Sequence, residues 1–263
     1  METSNKQKAP NWVRRVDAFN TYLSQDLFGG PRLIKMAWPI NLHKGATAFV
    51  VALLMMWFDN YSTAAWVYLA LHGTYGFCWL LKHVAFPDLR WETRVTVGSG
   101  VTIFLMLGTY WAAPYLLISD ALGANRPAPP NWLMALCIAL FAVGVMGMMA
   151  SDCQKQYTLK YRRGLITEGL FKYVRHPNYL GEMMLYASFA LLVQHWIPWI
   201  VLAYWWTTIF LVNMLTIEAS ISRYSGWEAY KARTGMLLPW RFFVREPTQA
   251  PSQPHEPPAS VLH

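Results

Sequence analysis

Residues 127–151, PAPPNWLMALCIALFAVGVMGMMAS, contain no Asp, Glu, Lys or Arg, and this run decides the fold class. A helix needs about 20 apolar residues to cross the hydrocarbon core, so the run is long enough to span a bilayer. Working outward, Tyr61–Leu81 and Val95–Ser119 are also free of those four residue types. Met183–Ile217 is free of them too, but its 35 residues at about 1.5 Å rise would overshoot a core about 30 Å thick. It reads as a tight helical hairpin turning at Gln194, His195, Trp196, Ile197 and Pro198, the polar, proline-bearing part of the run. The first span, about Ala37 to Phe58, carries Asn41, His43 and Lys44 in its opening turns, and Lys44 is expected to snorkel to the interface.

The composition agrees with that reading, because the 263 residues are 55% hydrophobic and 14% charged, against roughly 25% charged in an average soluble domain. The expected fold is therefore an all-α, polytopic membrane helical bundle of six spans, with a seventh left open. Residues 1–36 form a cytoplasmic N-terminal segment, 37–245 a single membrane domain, and 246–263 a disordered Pro-rich tail. Lys and Arg test the topology independently. All lie before span 1, in the second and fourth loops or in the tail, except Lys44 and Arg126. By the positive-inside rule both termini are cytoplasmic, as in a bacterial inner membrane or its equivalent. The net charge of +8 is then a consequence of topology and calls for no nucleic acid.

Cys78, Cys137 and Cys153 form no CxxC or Cys/His cluster and are assigned to packing. The histidines are scattered singly, so no metal site is expected. There is no GxGxxG after a strand and no GxxxxGK[ST], so any nucleotide must bind among helices.

Chemistry concentrates between Ser151 and Glu182, SDCQKQYTLKYRRGLITEGLFKYVRHPNYLGE. Arg175, His176, Pro177, Asn178, Tyr179 and Glu182 gather polar groups where a span should begin with apolar ones. Pro177 in the first helical turn lacks only a donor that would be unpaired there, and the free amides beside it suit an anion such as phosphate. Asn178 and Glu182 lie one turn apart and share a face. In the second span, His72 and Tyr75 are three apart on one helical face.

Three stretches resemble the steroid 5-alpha-reductase family, in its order: Ser151, Asp152, Gln154 and Lys155; GLFKYVRHPNYLGE from Gly169 to Glu182; and GWEAYKARTGMLLPW from Gly226 to Trp240. The resemblance implies a membrane reductase with NADPH bound among helices on the cytoplasmic side. Asp152, Asn178 and Glu182 would hold its nicotinamide and ribose end. Tyr173, Arg175 and His176 would line the pyrophosphate, with Arg162 or Arg163 near the 2'-phosphate. The implied reaction is hydride delivery to the beta carbon of a 3-oxo-delta-4 steroid or similar enone lipid, by a monomer in the lipid bilayer. Tyr75 is the expected proton donor at the carbonyl oxygen, supported by His72, with Asn41 and His43 as further polar groups. The alternatives are an S-adenosylmethionine-dependent enzyme like the isoprenylcysteine carboxyl methyltransferases, which share the RHP motif, and a non-catalytic membrane lipid-binding protein.

Overall fold

The computed structural model describes residues 7–119, 121 and 127–239. Arg126, Trp240 and the Pro-rich segment 246–263 lie outside the described residues. In chain order the elements are α1 (Asn11–Thr21), β1 (Arg32–Lys35), α2 (Ala37–Trp57), α3 (Thr63–Ala85), β2 (Arg94–Thr96), α4 (Val97–Gly108) and α5 (Ala112–Ile118). They continue with α6 (Asn131–Tyr161), α7 (Pro177–Val193), α8 (Trp196–Trp205), α9 (Leu211–Ile221) and α10 (Trp227–Arg233).

Among the described residues, four continuous helical runs are long and apolar enough to cross a membrane: Ala37–Trp57, Val97–Ile118, Asn131–Tyr161 and Trp196–Ile221. Their most apolar windows are only 22–28% buried within the protein. Such a surface, with Phe49, Trp57, Leu105 and Met146 outward, is consistent with contact with lipid. Two further helices stand where spans 2 and 5 were expected. α7 has 17 residues, and α3 is made less apolar by Tyr68, His72, Tyr75 and Trp79, all of them buried.

Local signals explain several boundaries. The Ser62 hydroxyl caps α3 by accepting from Ala65 N. Gln194 ends α7 in the left-handed region (φ 52°), and Pro198 sits in the first turn of α8, so the expected hairpin turn is where the sequence put it. One expectation needs correction. The chain is not purely helical, because β1 pairs with β2 antiparallel, Ile34 opposite Val95 and Lys35 opposite Arg94. α6 runs on past the charge-free stretch that ends at Ser151, to Tyr161, through helix-tolerant polar residues.

The core lies between α2, α3, α5, α6 and α7, and includes Val51, Tyr68, Tyr75, Cys137, Met148, Leu185 and Phe189. All three cysteines are free thiols. α1 lies antiparallel along the last helical run, with Gln7 N donating to Ser222 Oγ and Asn20 Nδ2 to Thr208 O.

Candidate functional site

Lys44 overturns its sequence reading. It is 3% exposed, turned into the bundle because α2 and α3 touch at Gly76, where any Cβ would run into the Lys44 carbonyl. Its ammonium donates to the Tyr186 hydroxyl at 2.5 Å and to the Tyr75 hydroxyl at 3.3 Å. The rings of Tyr75, Trp79, Tyr110 and Tyr186 surround it at 4.4–5.6 Å from their centroids. An ion in an apolar interior persists only when paired and desolvated contacts offset its lost hydration. The counter-charge is close: Tyr75 donates to Glu182 Oε1 at 2.9 Å. A second ion pair, Lys82 with Asp152, joins α3 to α6.

His72 shares a helical face with Tyr75 but is not hydrogen-bonded to it. Its Nδ1 lies 3.1 Å from the Tyr68 hydroxyl, one turn earlier, and its ring stacks on Phe189 at 4.4 Å. Its Nε2 is buried with no hydrogen-bond partner among the described residues. Beside this cluster lies a small recess of about 10 Å³, room for one water-sized group, lined by Tyr68, His72, Tyr110, Tyr186, Phe189 and Leu202 among others. Tyr75 is not on its wall. From α2 the cluster takes Lys44 rather than Asn41 or His43, and His43 stacks on Trp111 at 4.7 Å.

The N-terminus of α7 is a separate site. Two motifs distant in sequence are zipped together there, since Arg175 N donates to Gly235 O at 2.9 Å and His176 N to Met236 O at 3.1 Å. The Tyr230 hydroxyl donates to Phe171 O at 2.7 Å. Arg175, expected on a pyrophosphate, is instead committed internally. Its Nε donates to Glu218 at 2.6 Å and its Nη1 to Thr234 O at 2.5 Å. His176 is 3% exposed, and its Nε2 lies 3.4 Å from the Glu218 carboxylate without hydrogen-bond geometry. Burial lowers the His176 pKa, with the neighbouring Glu218 pulling the other way.

A cavity of about 100 Å³ opens here, lined by Lys155, Gly164, Arg175, His176, Asn178, Tyr179 and Tyr230 among others. Among the described residues no side chain caps the first-turn amides of α7, so they remain donors for an anion.

The structure therefore divides the expected cofactor residues. Arg175, His176 and Asn178 share the cavity, while Glu182 and Asp152 turn to Tyr75 and Lys82. Arg162 pairs with Glu168 at 2.7 Å on the surface; Arg163 and Tyr173 are exposed, Tyr173 beneath the Lys172 ammonium. Sequence reasoning missed Lys44, Tyr186 and Glu218. Lys44 did carry a signal, as a charge inside an apolar run, where a functional role is the default reading.

A match of 34% identity over 87 residues links the chain to an uncharacterised protein of Schizosaccharomyces pombe, covering 32% of this chain and 29% of that relative. The chain thus spans less than a third of that relative's length. No solved structure matches significantly. The family model described as "Protein of unknown function (DUF1295)" matches residues 27–234, which takes in the buried Lys44 cluster and the zipped α7 entrance alike, and the chain belongs to that family.

Proposed function

We propose that the protein is an integral membrane oxidoreductase of six transmembrane helices, both termini cytoplasmic. It uses NADPH to reduce the conjugated C=C of a 3-oxo-delta-4 steroid or a similar enone lipid. The observation that carries this reading is the arrangement along α7. Its N-terminus opens on a cavity where Lys155, His176 and Asn178 stand among apolar side chains, and about one and a half to two and a half turns further in, Glu182 and Tyr186 belong to a buried acid–base network beside an apolar recess. The family is associated with steroid 5-alpha-reductase-like membrane proteins, in agreement with the sequence resemblance.

The donor set suits a phosphate-bearing cofactor. Lys155 and Asn178 line the cavity, the first-turn amides of α7 are uncapped, and His176 Nε2 is a buried polar atom without a hydrogen bond. Lys155, His176, Asn178 and those amides would hold the phosphates, and Arg162 or Arg163 would lie near the 2'-phosphate. Arg175 acts one step removed, fixing the entrance through Glu218 and Thr234. When bound, NADPH supplies the hydride for the beta carbon.

The protein's own groups handle the proton. As charge grows on the carbonyl oxygen, buried hydroxyls stabilise it without the reorganisation that water would need. Glu182 and Tyr75 then carry a proton inward from the cytoplasmic end, and Lys44 offsets the negative charge that each transfer leaves behind.

The test is thermal stability of the detergent-solubilised protein, because a ligand that binds only the folded state raises Tm in step with its concentration over Kd. Tm should rise with NADPH, less with NADH, and little with S-adenosylhomocysteine. A rise with S-adenosylhomocysteine alone would replace the reading with a methyl transfer. No rise with any of them would point to a lipid-binding protein without a nucleotide cofactor. Loss of reduced-cofactor absorbance on adding testosterone or progesterone would establish the reaction itself.

A further inference from the structure

We infer that Tyr186, rather than Tyr75, is the hydroxyl that protonates the substrate oxygen, and that Lys44 is the positioning residue that holds it ready. The inference rests on the proposed enone reduction.

It follows from where each hydrogen is committed. Tyr75 donates its hydrogen to Glu182 at 2.9 Å and accepts from Lys44. It is fully engaged, and it is absent from the recess wall. Tyr186 accepts from Lys44 at 2.5 Å and its hydroxyl also meets that of Tyr110, while its own hydrogen has a long contact, 3.4 Å, to the Tyr75 oxygen. At that distance a hydrogen bond is weak, so the proton is available to a better acceptor. Tyr186 also lines the recess, together with the apolar side chains Ala113, Ala190, Val201 and Leu202. A space of that size accepts a carbonyl oxygen.

The other polar groups on the wall fit the role less well. Thr109 donates to Met106 O and accepts from Trp205 Nε1. The His72 imidazole has its polar contact with Tyr68, which leads to no charged group. Tyr110 stacks flat on Tyr186 at 4.4 Å and holds that ring in place. Tyr186 alone on this wall is bonded to the ammonium and, through it, to Tyr75 and Glu182.

The proton balance closes. Once the beta carbon has its hydride, the enolate oxygen takes the Tyr186 proton: the tyrosine O–H breaks and an enol O–H forms. The tyrosinate recovers a proton from Lys44 Nζ, and Lys44 recovers one from Tyr75. Water at the cytoplasmic end first protonates the Glu182 carboxylate, its hydroxide leaving to bulk solvent, and Tyr75 recovers its proton from the resulting Glu182 acid. The enol then rearranges to the saturated ketone.

The test uses the full chain in nanodiscs and a 3-oxo-delta-4 steroid labelled with ¹³C at its carbonyl, followed by infrared difference spectroscopy without NADPH. In the wild type the bound C=O stretch should fall in frequency, as it does for a hydrogen-bonded carbonyl. Tyr186→Phe should abolish the fall while steroid still binds, and Tyr75→Phe and Tyr110→Phe should keep it. With NADPH, Tyr186→Phe should lower turnover about a hundredfold or more, the usual worth of a general acid. Lys44→Met should keep the carbonyl shift but slow turnover and flatten its alkaline limb, a change that a merely structural lysine would not cause.

A shift that survives in Tyr186→Phe, or that is lost instead in Tyr110→Phe or His72→Phe, overturns the inference while leaving enone reduction standing if the wild type oxidises NADPH. A wild type that binds no labelled steroid overturns both. Should Tyr186→Phe not accumulate, Lys44→Met decides: full turnover with an unchanged pH profile overturns the relay.

Discussion

Gly144 of α6 and Gly181 of α7 meet backbone to backbone. A Cβ built on Gly181 would lie 2.5 Å from Gly144 O and 2.5 Å from Met148 N, and one on Gly144 2.6 Å from Gly181 O. Close approach of small residues is how helices gain contact where lipid gives no hydrophobic drive between them. The crossing fixes the height of α7, and with it Glu182 and Tyr186, against α6. Gly181→Ala should therefore cost about 1–3 kcal/mol through overpacking, seen as a lower Tm in detergent. Gly147→Ala, where the added Cβ meets nothing within 4 Å, should be neutral or stabilising by up to about 1 kcal/mol. Equal effects from the two would refute this account of the crossing.

Arg175 and Glu218 form a buried pair, with side chains 8% and 9% exposed. Glu218→Gln leaves the guanidinium without its counter-charge, an uncompensated burial that costs about 3–5 kcal/mol. Because Arg175 also grips Thr234 O, the loop after α10 should loosen. Limited proteolysis should cut the variant after Arg233 well before the wild type, and protection by NADPH should weaken. Cleavage at an unchanged rate would show that the backbone bonds from Arg175 and His176 suffice alone.

Protonation of His176 should destabilise the α7 entrance in acid. Burial lowers its folded pKa, so as pH falls below about 6.5 the unfolded chain takes up the proton first. Stability contributed by the neutral ring is present above that pH and is lost as pH falls from there toward the folded value. Glu218, Arg175 and Lys155 set the local field. Tm should drop between pH 7.5 and pH 5.5 by more in the wild type than in His176→Gln. Parallel profiles would remove His176 from the acid response.

The proposed topology rests on the Lys and Arg asymmetry and is testable by single-cysteine labelling in a background lacking Cys78, Cys137 and Cys153. Positions near Lys160 and after Arg245 should react from the cytoplasmic side, and positions near Asp59 and Arg126 from the opposite one. Cytoplasmic reaction at Arg126 would overturn the arrangement.

The division between what sequence and tertiary structure decided is visible in particular residues. Charge-free runs fixed the helices, because no polar loop fits at membrane depth. The turn at Gln194–Pro198 was legible for the same reason, since only there does the run offer polar and proline residues. Pro177 at the first turn of α7, with Asn178 and Glu182 on one face, was equally a local matter of period and donors.

The inward turn of Lys44 and the identity of its partners were not legible. A lysine in the opening turns of a span snorkels or turns inward according to what the neighbouring helices present. Here Tyr75, Tyr186 and Glu182 come from α3 and α7, 31 to 142 residues away. The commitment of Arg175 to Glu218 and Thr234, and of His72 to Tyr68 rather than Tyr75, escaped for the same cause. Periodicity tells which side of a helix a residue occupies, but the partner across the gap, and hence whether a charge is bound or free, is set only when the helices pack.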